Sequence, residues 1–253
     1  MPQTIKGTCI FLTLAALGHS QTFEVASIKI SELFRQGGEG SRRVDIQVVP
    51  GTVTMRNIGI QQILVWSYKV SPIQLPNAPG NDAERYDIIA KAAGPATTDE
   101  MRVMMQALLA ERFKLALHRE SKEMSAYALI EAKGGHKMKQ YDTGDGPGVL
   151  PTEGAGRIAL SGKKASLDQL CMFLAMPLRS PVVDMTGLKG KFDFDFDLSS
   201  YVPQGPRQPG EPEPDPVSIL QLALPKQLGL RLEARKLPIE MLIVDHVEKA
   251  MVE

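Results

Sequence analysis

The chain has 253 residues, 43% apolar and 23% charged, with 29 basic side chains against 29 acidic ones. That is the balance of an ordinary globular protein, and a formal net charge of zero leaves no global pull toward nucleic acid or an anionic membrane surface. The length admits one large domain or two small ones.

Residues 1–20 read as a signal peptide. Lys6 supplies the positive n-region, Thr8 to Gly18 is an apolar run of about 11 residues, and Gly18 and Ser20 put small side chains at the −3 and −1 positions of a cleavage site. The run is too short to span a hydrocarbon core of about 30 Å as a helix. The expected location is therefore secreted or periplasmic, with no transmembrane segment in the mature chain. Cleavage near Ser20 removes Lys6 and Cys9, which leaves 28 basic groups (29 − 1) against 29 acidic ones and Cys171 as the sole cysteine. No intrachain disulfide can then form. Cys171 lies in the apolar stretch Leu167-Asp-Gln-Leu-Cys-Met-Phe-Leu and is expected to be a buried, inert thiol.

Phe23 to Ile30 is strand-like, as is Val53 to Met55. Ile58 to Tyr68 places Ile60, Ile63 and Leu64 at helical spacing, and Pro72, Pro76, Pro79 and Gly80 then enforce a loop. Arg85 to Ala90 reads as a strand. Thr98 is the expected N-cap of a helix whose apolar face is Met101, Met104, Met105, Leu108 and Leu109. Phe113 to Arg119 and Ser125 to Ala132 read as two strands. Arg157 to Leu160 is another, and Ser166 caps a helix with Leu167, Leu170, Phe173 and Leu174 on its apolar face. Pro181 to Asp184 is extended, Thr186 to Gly190 is a turn, and Lys191 to Leu198 is a strand. A helix from Pro216 ends at Gly229, with Pro225 expected to kink or split it. Leu230 to Arg235 and Glu240 to Val247 read as two closing strands.

The landmarks recur. Gly51-Thr-Val-Thr-Met, Arg85-Tyr-Asp-Ile, Arg112-Phe-Lys-Leu and Tyr127-Ala-Leu-Ile are followed in the same order by Gly156-Arg-Ile-Ala-Leu, Lys191-Phe-Asp-Phe, Leu228-Gly-Leu and Glu240-Met-Leu-Ile, about 105 to 115 residues later. The expected fold is α+β, an internal duplication of two similar strand-helix modules with mixed or antiparallel sheets. Tyr86 should match Phe192, and Leu115 should match Leu230. The expected divisions are a first module over 21–140 with an N-terminal strand, a linker over 141–155, and a second module over 156–253. The second module is interrupted at 199–216, where Pro203, Pro206, Pro209, Pro212, Pro214 and Pro216 predict an exposed excursion.

Residues that could do chemistry are sparse. The mature chain keeps His118, His136 and His246. His118 and Glu120 share a face of a strand, whereas Asp245 and His246 alternate, and no spacing suits zinc. Surface or cross-strand pairing is the expected role. In Phe192-Asp-Phe-Asp-Phe-Asp197 one strand face takes the three Phe and the other takes Asp193, Asp195 and Asp197. Neighbours on one face lie about 6.5 to 7 Å apart, too far to share a calcium ion on a straight strand. Ser161-Gly-Lys-Lys164 matches the nucleophile motif of penicillin-recognising enzymes without its companion motifs. Gly144-Asp-Gly-Pro-Gly148 lacks the Lys-Ser/Thr of a phosphate loop. Lys133 to Lys139 reads as a solvated basic loop, and Trp66 and Tyr68 as core. No catalytic residue, metal ligand or cofactor is expected, and no binding residue is located.

Phe23-Glu-Val-Ala-Ser-Ile-Lys, Arg85-Tyr-Asp-Ile, Leu108-Leu-Ala-Glu-Arg-Phe-Lys-Leu, His118-Arg-Glu, Pro181-Val-Val-Asp-Met-Thr-Gly-Leu and Val244-Asp-His-Val-Glu occur in that order. Together they resemble a large paralogous family of uncharacterised, secreted, soil-associated bacterial proteins, a domain of unknown function. Related domains look to be attached to antibiotic-sensor-type membrane metallopeptidases. A second resemblance, of pattern, is to the short N-terminal signalling domain of secretins and TonB-dependent receptors. It covers Ser166 to Phe196, Leu228-Gly-Leu-Arg-Leu-Glu and Met241-Leu-Ile-Val. The expected function is a non-enzymatic binding or sensor-associated module. It would take an envelope or extracellular protein or peptide by strand addition or in a groove between modules. The rival expectation is an extracytoplasmic hydrolase whose residues are scattered along the chain.

Overall fold

The computed structural model describes residues 22–32, 44–80, 84–144, 146–152, 159–202 and 214–250. The expected signal peptide and residues 203–213 of the proline-rich stretch lie outside them. The protein is α+β, with three sheets among the described residues.

The first half contributes β1 (Val25–Ile30), β2 (Asp45–Val49), β3 (Thr52–Gly59), α1 (Ile60–Tyr68), β4 (Arg85–Lys91) and α2 (Thr98–Arg112). Its antiparallel sheet has the order β1-β4-β3-β2. Helix α2 is capped one residue earlier than expected, by Thr97. The Thr97 hydroxyl accepts the Glu100 N–H at 3.3 Å, and the Glu100 carboxylate takes the Thr97 N–H at 2.8 Å. This reciprocal arrangement satisfies two donors that the helix leaves open. The stripe of Met101, Met104, Met105, Leu108 and Leu109 is buried. Tyr86 meets Phe113 edge-on in the same core, with ring centroids 5.1 Å apart.

The second half contributes β6 (Lys139–Tyr141), β7 (Gly148–Thr152), β8 (Ala159–Ala165), α3 (Leu167–Leu178), β9 (Val182–Asp184), β10 (Lys191–Asp197) and α4 (Pro216–Gln227). Its first sheet has the order β6-β10-β8-β7. The expected boundary therefore moves. Lys139 and Gln140 of β6, placed by sequence in the first module, pair with β10, and the expected linker 141–155 holds β7. Glycine and proline mask that strand in the sequence, yet Val149 is buried and pairs with Gly162. Helix α4 runs through Pro225 as one element.

The two halves follow one topology. A hairpin (β2–β3, β7–β8) leads into a helix (α1, α3), a central strand (β4, β10) and a second helix (α2, α4). The detail repeats too. Tyr86 pairs with Ile58 and Ile88 with Met55; Phe192 pairs with Ala165 and Phe194 with Gly162. In both cases one strand advances three residues against two, a β-bulge that re-aims the chain into the helix. The extra residue is left-handed in each, Asn57 at φ 53° and Lys164 at φ 46°. An aspartate beside the bulge accepts its N–H, Asp87 from Asn57 at 2.7 Å and Asp193 from Lys164 at 2.6 Å. Leu115 and Leu230 also hold matching places, each following a left-handed residue, Lys114 or Gly229, just past a helix end.

Each half then enters a long strand, β5 (Ala116–Glu131) or β11 (Leu230–His246). Each was expected as two strands, and each is continuous. They pair antiparallel from Leu230↔Glu131 to Val244↔Leu117, with Glu123↔Pro238 next to the centre. The middle of this ribbon, Glu120 to Glu123, is exposed, so no burial pattern marks it as strand in the sequence. Pro238 is tolerated because of its parity. Val244 and Glu240 turn their backbone groups outward, to Asn77 and Gln74, and Pro238 shares that outward orientation. It gives up no ladder bond.

The ribbon exchanges the ends of the two halves. Leu117 of β5 packs on the first core, but Leu129 is buried in the second. Leu230 and Leu232 of β11 lie in the second core, but Leu242 and Val244 lie in the first. Each hydrophobic core is thus completed by the strand that the other half supplies. Strand β9 extends the ribbon by pairing parallel to Tyr127–Leu129.

Candidate functional site

The residues singled out by sequence do not converge. His118 meets Asp245 across the ribbon, with Nδ1 2.9 Å from the carboxylate, rather than pairing with its strand neighbour Glu120. Asp245 sits at the register slip between Val244 and His246. His246 Nε2 lies 2.9 Å from Glu248, and both pairs are exposed. His136 stands edge-on to Phe192, with centroids 5.7 Å apart. Cys171 is buried, and burial pushes its thiol well above the ordinary range, with Asp184 and Asp168 adding to the effect. Among the described residues no cluster of three or more His, Cys, Asp or Glu could hold a metal ion.

The alternating strand is as expected, with Phe192, Phe194 and Phe196 buried. The three aspartates serve separate structural contacts. Asp193 takes the Lys164 N–H and the Tyr141 hydroxyl, Asp195 takes the Ser161 hydroxyl at 2.9 Å, and Asp197 takes the Ser199 N–H at 2.8 Å. Ser161 and Lys164 are thereby committed to β10 and the bulge. Lys164 and Lys139 both extend over the Tyr141 ring. Gly148 opens β7, and Asp145 lies outside the described residues. Trp66 carries the Arg102 guanidinium 5.4 Å from its ring centroid.

A site appears where the two halves, alike in topology, differ in side chains. On the first half's side of the ribbon Arg119 is bonded to Glu240. Tyr68, the last residue of α1, lies close enough that burial raises its phenol while the Arg119 charge lowers it. The offset that matches Leu115 to Leu230 matches Arg119 to Ala234 and Glu240 to Ser125. Leu178, the last residue of α3, stands where α1 has Tyr68; each helix then ends in a left-handed residue, Arg179 or Lys69. The smaller side chains leave an open depression of about 360 Å³, lined by Ser125, Tyr127, Leu178, Ser180, Ala234 and Lys236, among others. Arg235, also in the lining, is tied to Glu233. Lys236 forms no ion pair among the described residues.

A match over most of the chain comes from the family models. Residues 61–247 match the family described as protein of unknown function (DUF3738). The chain belongs to that family. No curated protein and no solved structure matches this DUF3738 chain. Among its described residues no helix is long and apolar enough to cross a membrane.

The depression borders an open strand edge. Along the outer side of β5, the Leu129 carbonyl accepts the Met185 N–H, the Tyr127 N–H donates to Pro181, and the Ser125 carbonyl accepts the Ser180 hydroxyl. The next outward-facing positions, Glu123, Ser121 and Arg119, have no backbone partner among the described residues. The site thus combines unused ladder groups with hydroxyls and an ammonium at their end, a set suited to hold an extended chain. Sequence reasoning missed it because none of its residues forms a motif. The one available signal was the mismatch of Arg119 with Ala234 and Glu240 with Ser125 once the halves are aligned.

Proposed function

We propose that this DUF3738 chain is an exported, non-enzymatic binding module that captures an extended peptide or protein segment at the β5 edge and the adjoining depression. The observation that carries the reading is the depression itself, opened in one half at the place the other half closes with Arg119, Glu240 and Tyr68. Strand addition fits the open edge, where backbone bonds supply affinity and side-chain contacts supply choice. Export rests on Lys6, the apolar run from Thr8 to Gly18, and the small residues Gly18 and Ser20.

Restoring the first half's closure tests the reading. Ala234→Arg with Ser125→Glu should fill the depression, leave the thermal midpoint near that of the wild type, and abolish capture of partners retained by the wild type from envelope or culture supernatant. Equal capture by the filled variant would sink the site. N-terminal sequencing of protein from its native host should begin near Gln21; a product retaining Met1 would remove the export claim.

A further inference from the structure

We infer that the depression receives the free C-terminal carboxylate of a peptide running parallel to β5. The inference rests on the proposed peptide-binding reading and adds direction and chemistry to it. Strand β9 already occupies the β5 edge from Pro181 onward, with Ser180 bonded to the Ser125 carbonyl. A strand added at Arg119 to Glu123 meets that obstruction and must end or turn away beside the depression. A parallel strand, collinear with β9, presents its C-terminus there, and an antiparallel one presents its N-terminus. Lys236 decides between them. Lys236 is one of the residues lining the depression and has no ion-pair partner among the described residues, so its charge attracts a carboxylate and repels a terminal amine. Ser125 adds a hydroxyl. The first half supplies an internal precedent, since the Glu240 carboxylate, held there by Arg119, occupies the position equivalent to Ser125. The second half has neither partner at the equivalent places, Ala234 and Ser125, and instead brings Lys236 to the lining two residues beyond Ala234.

The experiment uses the mature protein and two synthetic hexapeptides, acetyl-Thr-Val-Thr-Val-Thr-Val ending in a free acid or in an amide. Alternating Thr and Val favour the extended state. Calorimetric titration should show the acid binding about two- to fivefold tighter than the amide, the ratio expected for one exposed ion pair. Lys236→Gln should erase the preference, Lys236→Arg should retain most of it, and added salt should shrink it. The filled variant should bind neither peptide. Equal binding of acid and amide by the wild type, a preference that survives in Lys236→Gln, or no binding of the acid by the wild type overturns the carboxylate inference. If acid and amide bind equally and the filled variant loses both, the peptide-binding reading stands while the carboxylate inference falls. If the filled variant binds as well as the wild type, both fall.

Discussion

On one side of the ribbon centre Arg119 and Glu240 lock together near Tyr68; on the other, Ala234, Ser125 and Leu178 hold the matching places and leave about 360 Å³ open. Topology, bulge and helix ends repeat between the halves; side-chain volume and charge differ, and so does the edge segment, strand β9 on β5 against the short Pro72–Gln74 turn beside β11. The side-chain difference costs the fold little. An exposed ion pair contributes at most about 1 kcal/mol, and Arg119 and Glu240 are each about half exposed. The exchanged core positions are another matter. Leu129 and Leu242 are fully buried, and each completes a core that its own half did not begin. A duplicated scaffold can therefore open a site in one copy while both copies remain tied together by the same two strands.

The largest expected effect comes from separating the halves. A chain of residues 22–144 should lack a stable fold, because the first core needs Leu242 and Val244, and 146–250 should fail for want of Leu129. Circular dichroism and amide proton dispersion check this; a cooperatively folded isolated half would break the exchange argument. In the intact chain, Leu242→Ala and Leu129→Ala should each cost about 2–5 kcal/mol. Both should shift a single urea transition. Two separate transitions, each touched by one variant, would mean that the halves unfold independently.

The bulge aspartates sharpen the likeness. Asp87→Ala orphans the Asn57 N–H and should cost roughly 1–3 kcal/mol, measured by the same unfolding curve. Asp193 has an acid signature. The Lys164 N–H, followed by the Tyr141 hydroxyl, holds its carboxyl below the usual range. A carboxyl depressed in the folded state contributes stability that is present above its unfolded pKa of about 3.9 and is lost as the pH falls through the lower folded value. Asp193→Asn should therefore flatten the fall in stability below about pH 4; an unchanged acid limb would show that this bond does not matter. The smallest effect should come from emptying the closed side. Arg119→Ala with Glu240→Ser should change stability by no more than about 1 kcal/mol, and a much larger loss would show that the pair supports the ribbon.

Local pattern was readable where one face is buried and the other wet. The Phe and Asp alternation of β10 and the Met stripe of α2 follow from period, and the matches of Tyr86 with Phe192 and Leu115 with Leu230 follow from repeated order. Reading failed where burial does not write a period. Glu120 to Glu123 bridges the halves in solvent, so β5 looked like two strands, and Pro238 split β11 for the same reason. Strand β7, hidden in a glycine- and proline-rich stretch, is held by its pairing with β8.

The sequence by itself determined the α+β class, the repeated order of elements and the Ser166 cap, because propensity, capping and alternation act over a few neighbouring residues. Tertiary structure alone decided that the long strands trade ends, that His118 finds Asp245 rather than Glu120, and that Ser125, Leu178, Ser180, Ala234 and Lys236 surround one depression. Those outcomes depend on which distant strands pair and in what register. Register is set by fitting both apolar cores at once, a condition that no local stretch of this chain carries.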